Sequence, residues 1–278
     1  MRRRPATLLF AALLVTVLAS RLDAHDLFLK LARYILPAPA AAVRIAVLNG
    51  TFSTSENGVA RDRLADLSVV GPDGARSHPD TAAWVEQKTQ SVLTVGAGRV
   101  GTYVVGASVR PRALELPAAE FNEYLRTDGV PDVLDARRRA GEMGAPARER
   151  YSKHVKALFQ VGNDGPRTDN FAAVLGYPAE IVPQANPYAL RRGDTLAVRC
   201  LVDGAPAASQ LVLAGGRLRG SERRIPAQSV RTDADGVARI PLTARGIWYV
   251  KFIHMVRAAA SDSVDYESKW ATVTFEVR

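Results

Sequence analysis

Short β-prone runs, cut at regular intervals by turn residues, confine this chain to a mainly β fold. Residues 43–48 alternate and stop at Asn49-Gly50, and residues 67–70 stop at Gly71-Pro72-Asp73-Gly74. Residues 91–95 are followed by Gly96, Gly98 and Gly101, after which residues 102–109 run toward Pro111. Asn-Gly and Pro-Asp-Gly supply the φ values that tight turns require. The same grammar returns later in the chain: residues 179–183, 195–202, 210–214, 237–242, 246–254 and 271–277 read as strands. Between them stand Arg192-Gly193-Asp194, Asp203-Gly204-Ala205-Pro206, Gly215-Gly216 and Asp233-Ala234-Asp235-Gly236. Strands of this length and spacing fit packed antiparallel sheets.

The middle of the chain follows a different period. From Pro117 onward it is rich in Ala, Glu and Arg and poor in β-branched residues. Phe121, Tyr124 and Leu125 share one helical face, and residues 132–140 read as a second short helix. Residues 148–159 align Tyr151, Val155, Leu158 and Phe159 in one stripe, which predicts a third. The expected architecture is therefore mainly β, with two β-sandwich regions of immunoglobulin-like or transthyretin-like type and a helical insertion between them. Its parts are an N-terminal β-sandwich region at 25–116, the insertion at 117–165 and a C-terminal sandwich at 166–278.

Residues 1–24 have the layout of a secretory signal peptide: Arg2, Arg3 and Arg4, an apolar run from Ala6 to Ala19, and small Ala24 at the cut position. The apolar run is too short for a membrane span. Cleavage there predicts a mature protein that begins at His25, is periplasmic or secreted, and has no stable insertion in a membrane. Four arginines and one aspartate leave with the leader, which lowers the formal charge from +9 to +6. The remaining basic residues are interspersed with acids and form no stripe interleaved with aromatics, so a nucleic-acid partner is not expected.

A terminal His carries an α-amine and an imidazole on one residue, and the two can chelate a metal ion together. Nickel, copper and zinc favour imidazole, and the chain has four histidines. His25 is the predicted anchor. His254 ends a strong β run in which Trp248, Val250 and Phe252 share its face, and it is the predicted second imidazole. Asp265 and Glu267 have the period-two spacing that aims two carboxylates one way, so they are candidate oxygen ligands. Asp26 is a candidate acceptor that would hydrogen-bond a ligating imidazole from behind and orient it. His78 precedes Pro79 in a polar loop and reads as exposed. His154, between Lys153 and Lys156, reads as a helix-face residue. Cys200 is the only cysteine and reads as a buried thiol in a strand. No Gly-x-Ser-x-Gly elbow is present. The glycines of Gly96-Ala97-Gly98-Arg99-Val100-Gly101 join two β runs with no helix after them, so they read as turn residues.

The run Leu175-Gly176-Tyr177-Pro178-Ala179-Glu180-Ile181-Val182-Pro183, then Asn186-Pro187, Gly246-Ile247-Trp248-Tyr249-Val250, His254-Met255 and Tyr266-Glu267-Ser268-Lys269-Trp270-Ala271, resembles a family of exported bacterial β-rich proteins of largely unassigned function. Members of that family are described as the periplasmic, substrate-specific component of nickel or cobalt uptake, and Ala24-His25-Asp26 follows the same habit. The resemblance implies a non-catalytic metal-binding protein. Its cargo would be nickel, cobalt or copper, and its partner a membrane metal transporter. The chain departs from the family in having no His-rich tract, which argues against high-capacity storage. Two other functions fit the same residues: a β-sandwich adhesion or scaffold module without metal, and a copper oxidoreductase using the terminal nitrogen pair.

Overall fold

A computed structural model describes residues 25–163 and 168–278. The leader expected over residues 1–24 lies outside the described residues. In chain order the elements are β1 (Asp26–Leu31), β2 (Ile35–Leu36), β3 (Ala40–Gly50), β4 (Leu64–Val70), β5 (Arg76–Ser77), β6 (Trp84–Glu86), β7 (Ser91–Ala97) and β8 (Gly101–Leu116), then helices α1 (Ala118–Thr127) and α2 (Pro131–Arg139). They continue as β9 (Ala147–Val161), β10 (Ala179–Pro183), β11 (Thr195–Val202), β12 (Ala205–Pro206), β13 (Leu211–Leu218), β14 (Arg224–Arg231), β15 (Val237–Pro241), β16 (Gly246–Arg257) and β17 (Tyr266–Val277). The protein is mainly β, as expected, and its helices fall between two sets of strands.

The strands form three sheets. The central one has the order β14-β13-β16-β17-β9-β8-β4-β5, with β2 added alongside β9. A second sheet has the order β1-β3-β7-β6, and a third joins β10, β11, β12 and β15. Successive side chains of a strand point to opposite faces, and β9 shows where the outer sheets sit. Lys153 reaches the His25 carbonyl next to β1, whereas Lys156 pairs with Glu180 of β10 at 2.5 Å. On β17, the Thr272 and Thr274 hydroxyls donate to the Leu27 and Leu29 carbonyls of β1 at 2.8 and 2.6 Å. The outer sheets therefore cover opposite faces of the central sheet, giving two face-to-face packings that share their middle layer.

This arrangement explains why β9 is not the helix predicted over residues 148–159. β9 lies in the centre of the sheet, pairs parallel with β17 and antiparallel with β8, and is buried from Ser152 to Val161. A strand covered on both faces has no polar face, so its apolar residues do not alternate. Tyr151, Val155, Leu158 and Phe159 fell at helical spacing by chance. His154 is accordingly not on a helix face. It is 3% exposed, its Nδ1 is 2.9 Å from Ser108 Oγ and its Nε2 is 3.0 Å from Ser152 Oγ.

The two helices extend the layer formed by the β1 sheet. Phe121, Tyr124 and Leu125 of α1 and Leu134 of α2 pack on Ile253, Met255, Tyr266 and Trp270 of β16 and β17. The Tyr124 and Trp270 rings stack at 5.7 Å. Pro131 opens α2, where its missing N–H costs nothing, and Arg137–Arg139 close it at the negative end of the dipole. Arg137 is buried. Its guanidinium donates to Asn122 Oδ1 and to the Glu142 and Ala145 carbonyls, which ties α2 to α1 and to the following loop.

Candidate functional site

β1, the loop after β3, helix α1 and the strands β13, β14 and β16 enclose a cleft of about 800 Å³. Its walls carry His25, Asp26, Glu56, Glu120, Glu123 and Asp128, with Arg224 as the one arginine among its lining residues. Phe28, Phe52 and Tyr249 form an aromatic wall, with ring centroids 5.0 to 5.4 Å apart. Gly216 permits the close approach of β13 to β16 at this wall: a Cβ there would lie 2.0 Å from the Ile247 carbonyl oxygen.

His25 stands at the start of β1 with its side chain mostly buried, and its Nε2 lies 3.0 Å from Glu56 Oε2. Below it is a set of buried charges. Lys251 Nζ donates to Asp26 Oδ2 at 2.5 Å and to Asp128 Oδ1 at 3.3 Å. Burial opposes the charge on Lys251, but Asp26 and Asp128 outweigh it and hold the amine above its usual range. Burial raises the Asp128 carboxyl to about 6, with Asp26 adding to the rise and Lys251 opposing it. Burial lowers the Lys153 amine to about 8, against the pull of Asp26 and Glu149. Glu149 is fully buried and accepts from Tyr124 and Ser268, and burial raises its carboxyl too. Among the described residues, Asp26 Oδ1 and Glu149 Oε2 have no hydrogen-bond partner.

The other predicted ligands stand elsewhere. Alternation along β16 points Lys251 toward the cleft and His254 to the opposite face. His254 lines a separate cavity of about 470 Å³ together with Asp132, Gln210, Arg231 and Met255. Its Nδ1 is 3.2 Å from Gln210 Oε1, and burial, reinforced by Lys269, lowers its imidazole. Asp265 Oδ2 accepts from the Arg148 amide at 2.7 Å, and Glu267 pairs with Arg150 at 3.0 Å. His78 is exposed, with its Nδ1 2.8 Å from Asp66 Oδ1. Cys200 is fully buried, and burial raises its thiol. Asp26 shares the cleft lining with His25 but pairs with Lys251, while Glu56 takes the place beside the imidazole, and His254, Asp265 and Glu267 have their partners elsewhere. Among the described residues, no three His, Cys, Asp or Glu side chains converge on a point that could hold a metal ion.

Sequence reading missed Glu56, Lys251, Asp128 and Lys153. Lys251 had a signal: it shares a face with Tyr249 and Ile253, opposite Trp248, Val250 and Phe252. A strand apolar on both faces is buried on both faces, so a lysine within it requires a carboxylate partner. Glu56 sits in a loop and carried no comparable signal.

Residues 22–256 match the family model described as a domain of unknown function, DUF4198, and the chain belongs to that family. No curated protein matches the chain. Among solved structures, it is similar to the D0-D1 domain of intimin, with 12% identity over 90% of this chain and 97% of that one and a TM-score of 0.20. It is also similar to E. coli alpha-2-macroglobulin, with 11% identity over 92% of this chain and 14% of that one and a TM-score of 0.21. The human OSCAR ligand-binding domain has 10% identity over 88% of this chain and 96% of that one, with a TM-score of 0.17. Likenesses this distant carry no functional assignment. No helix among the described residues is long and apolar enough to cross a membrane.

Proposed function

We propose that the protein is an exported, periplasmic carrier of a transition-metal ion (nickel, cobalt or copper) that holds its cargo at a mature N-terminus beginning with His25 and passes it to a membrane transporter. The observation that carries this reading is the contact between His25 Nε2 and Glu56 Oε2 at 3.0 Å in the wall of an acidic cleft. A carboxylate on one ring nitrogen of a ligating histidine fixes the tautomer and the ring orientation. Here it makes Nε2 the protonated nitrogen and leaves the Nδ1 lone pair for a metal. Nδ1 and a free α-amine of the same residue close a small chelate ring. This donor set is a side-chain nitrogen plus a main-chain nitrogen, so it needs no convergence of three side chains.

The surrounding charge supports a cation. Asp26, Glu56, Glu120, Glu123 and Asp128 all line the cleft, with Lys251 pairing with Asp26 and Asp128 and Arg126 with Glu123, so the charge offered to a cation beside His25 is chiefly that of Glu56. Asp26, the residue after His25, keeps one carboxylate oxygen without a hydrogen-bond partner. His254, Asp265 and Glu267 are not assigned to the chelate, because their partners lie elsewhere. The protein's part is binding and release, with no turnover.

The test is calorimetric titration with Ni²⁺, Co²⁺ and Cu²⁺ of protein that begins at His25, compared with protein carrying one extra residue before His25. The extension blocks the α-amine and leaves every side chain in place. An affinity at least about tenfold weaker is expected for the extended form. Equal affinities for the two forms reject the terminal chelate.

A further inference from the structure

One end of the central sheet gathers arginines through strand register alone. Leu218 of β13 pairs with Gly246 of β16, and Gly246 pairs with Val277 of β17. The next residue outward on each strand is an arginine: Arg219, Arg245 and Arg278. The Arg219 amide donates to the Arg245 carbonyl at 3.1 Å, which holds two of these strand ends together. The β13–β14 hairpin adds Arg223 and Arg224, with the Leu218 amide donating to the Arg223 carbonyl at 2.9 Å. Arg219, Arg223, Arg224 and Arg245 are exposed.

Little on the protein compensates these charges. Glu222 pairs with Arg217, set further back on β13, and Glu276 lies 3.6 Å from Arg219. Among the described residues, Arg223, Arg224 and Arg245 form no ion pair. A row of guanidinium groups on the ends of adjacent strands is spread along an edge. It does not converge on a pocket, so it suits an extended negative surface better than one small anion. Arg224 belongs both to this edge and to the cleft lining, so the edge adjoins the cleft rim.

We infer that this arginine edge docks the protein on anionic lipid headgroups and turns the rim of the cleft toward the membrane. The contact is peripheral, made by side chains on strand ends and a hairpin turn, with no insertion. Each arginine near an anionic bilayer contributes roughly a factor of five in partition.

The experiment is cosedimentation of the protein with vesicles of phosphatidylglycerol and phosphatidylcholine in equal parts, against vesicles of phosphatidylcholine alone, at low salt and at about 0.5 M salt. The unaltered protein is expected to bind the anionic vesicles at low salt only. Replacing Arg219, Arg223 and Arg245 together by Ser is expected to weaken binding about a hundredfold. A control that replaces Arg44, Arg139 and Arg199 by Ser has the same net charge and is expected to bind like the unaltered protein. If the edge variant does not fold, Arg223→Glu alone reverses one exposed hairpin charge and is expected to weaken binding by about tenfold or more. Equal losses in the two triple variants, unchanged binding of Arg223→Glu, or no binding of the unaltered protein to anionic vesicles would each overturn the inference. The assay contains no metal, so its failure and that of the proposed chelate are separate results.

Discussion

Lys251 Nζ lies 2.5 Å from Asp26 Oδ2, and this pair fastens the first strand to the middle of the central sheet. Both side chains are mostly buried, at 8% and 13% exposure. Removing one member of such a pair leaves the other as an uncompensated buried charge. Lys251→Met strands Asp26, which already has one unpartnered oxygen, and Asp128 with it. A loss of roughly 3–5 kcal/mol of unfolding free energy is expected from urea denaturation. A loss under about 1 kcal/mol would mean that the pair is solvated and does not hold β1 in place.

Asp128 links stability to pH with a definite sign. Its carboxyl is raised to about 6 in the folded protein, above the ordinary value of 3.8, chiefly by burial. Between those two values the folded state holds a proton that the unfolded state has released, so Asp128 costs stability as pH rises through that window. Asp128→Asn removes the cost. From pH 4 to pH 7 the unaltered protein is expected to lose roughly 2–3 kcal/mol relative to the variant. Parallel stability profiles for the two proteins over that range would show that Asp128 ionises normally.

His154 works in the opposite direction. Burial lowers its imidazole to about 4, with Lys269 adding to the effect. The folded protein therefore keeps it neutral while the unfolded chain takes up a proton below about 6.5. Its contribution is complete above that value and is lost as pH falls toward 4. Proton and nitrogen NMR should show His154 without a titration step between pH 8 and pH 5. A step near 6.5 would place the ring in water.

Glu56 separates orientation of the imidazole from stability of the fold. Its side chain is half exposed, and its contact with His25 is the one described for it. Glu56→Gln keeps the shape and removes the charge. Affinity for Ni²⁺ is expected to fall by roughly 10- to 100-fold, while the thermal midpoint in metal-free buffer stays within a degree or two, as for an ordinary surface change. Unchanged affinity would leave Glu56 outside the metal site.

The strands were legible wherever turn chemistry bounded them. Gly71-Pro72-Asp73-Gly74 follows β4 and Asp203-Gly204 follows β11, where Gly74, Asp203 and Gly204 take the positive φ that few residues tolerate, whereas Gly50 ends β3 without one and instead makes room for the Thr54 carbonyl, 2.3 Å from where a Cβ would lie. The first two helices were legible from the shared face of Phe121, Tyr124 and Leu125 and from the Ala-, Glu- and Arg-rich composition that begins at Pro117. β9 was not legible, because the signal for a strand is alternation and a strand covered on both faces has none. His154, between Lys153 and Lys156, read as a helix-face residue, yet all three are buried and each is satisfied by a distant partner: Ser108 for His154, the His25 carbonyl for Lys153 and Glu180 for Lys156. Those partners lie 24 to 128 positions away in the chain, and no local pattern reports a contact at that range. His25 and Asp26 were visible in the sequence as a possible terminus. The loop carboxylate beside His25 became visible only with the fold.

The shared middle sheet also limits how this molecule could be divided. Its two sets of strands meet where β17 runs parallel to β9, so a cut between α2 and β10 would leave each fragment with part of a sheet and a raw, hydrogen-bond-hungry edge along its former interior. Neither fragment would then be a self-sufficient building block, and each would be prone to recapture its complement or to stick to itself.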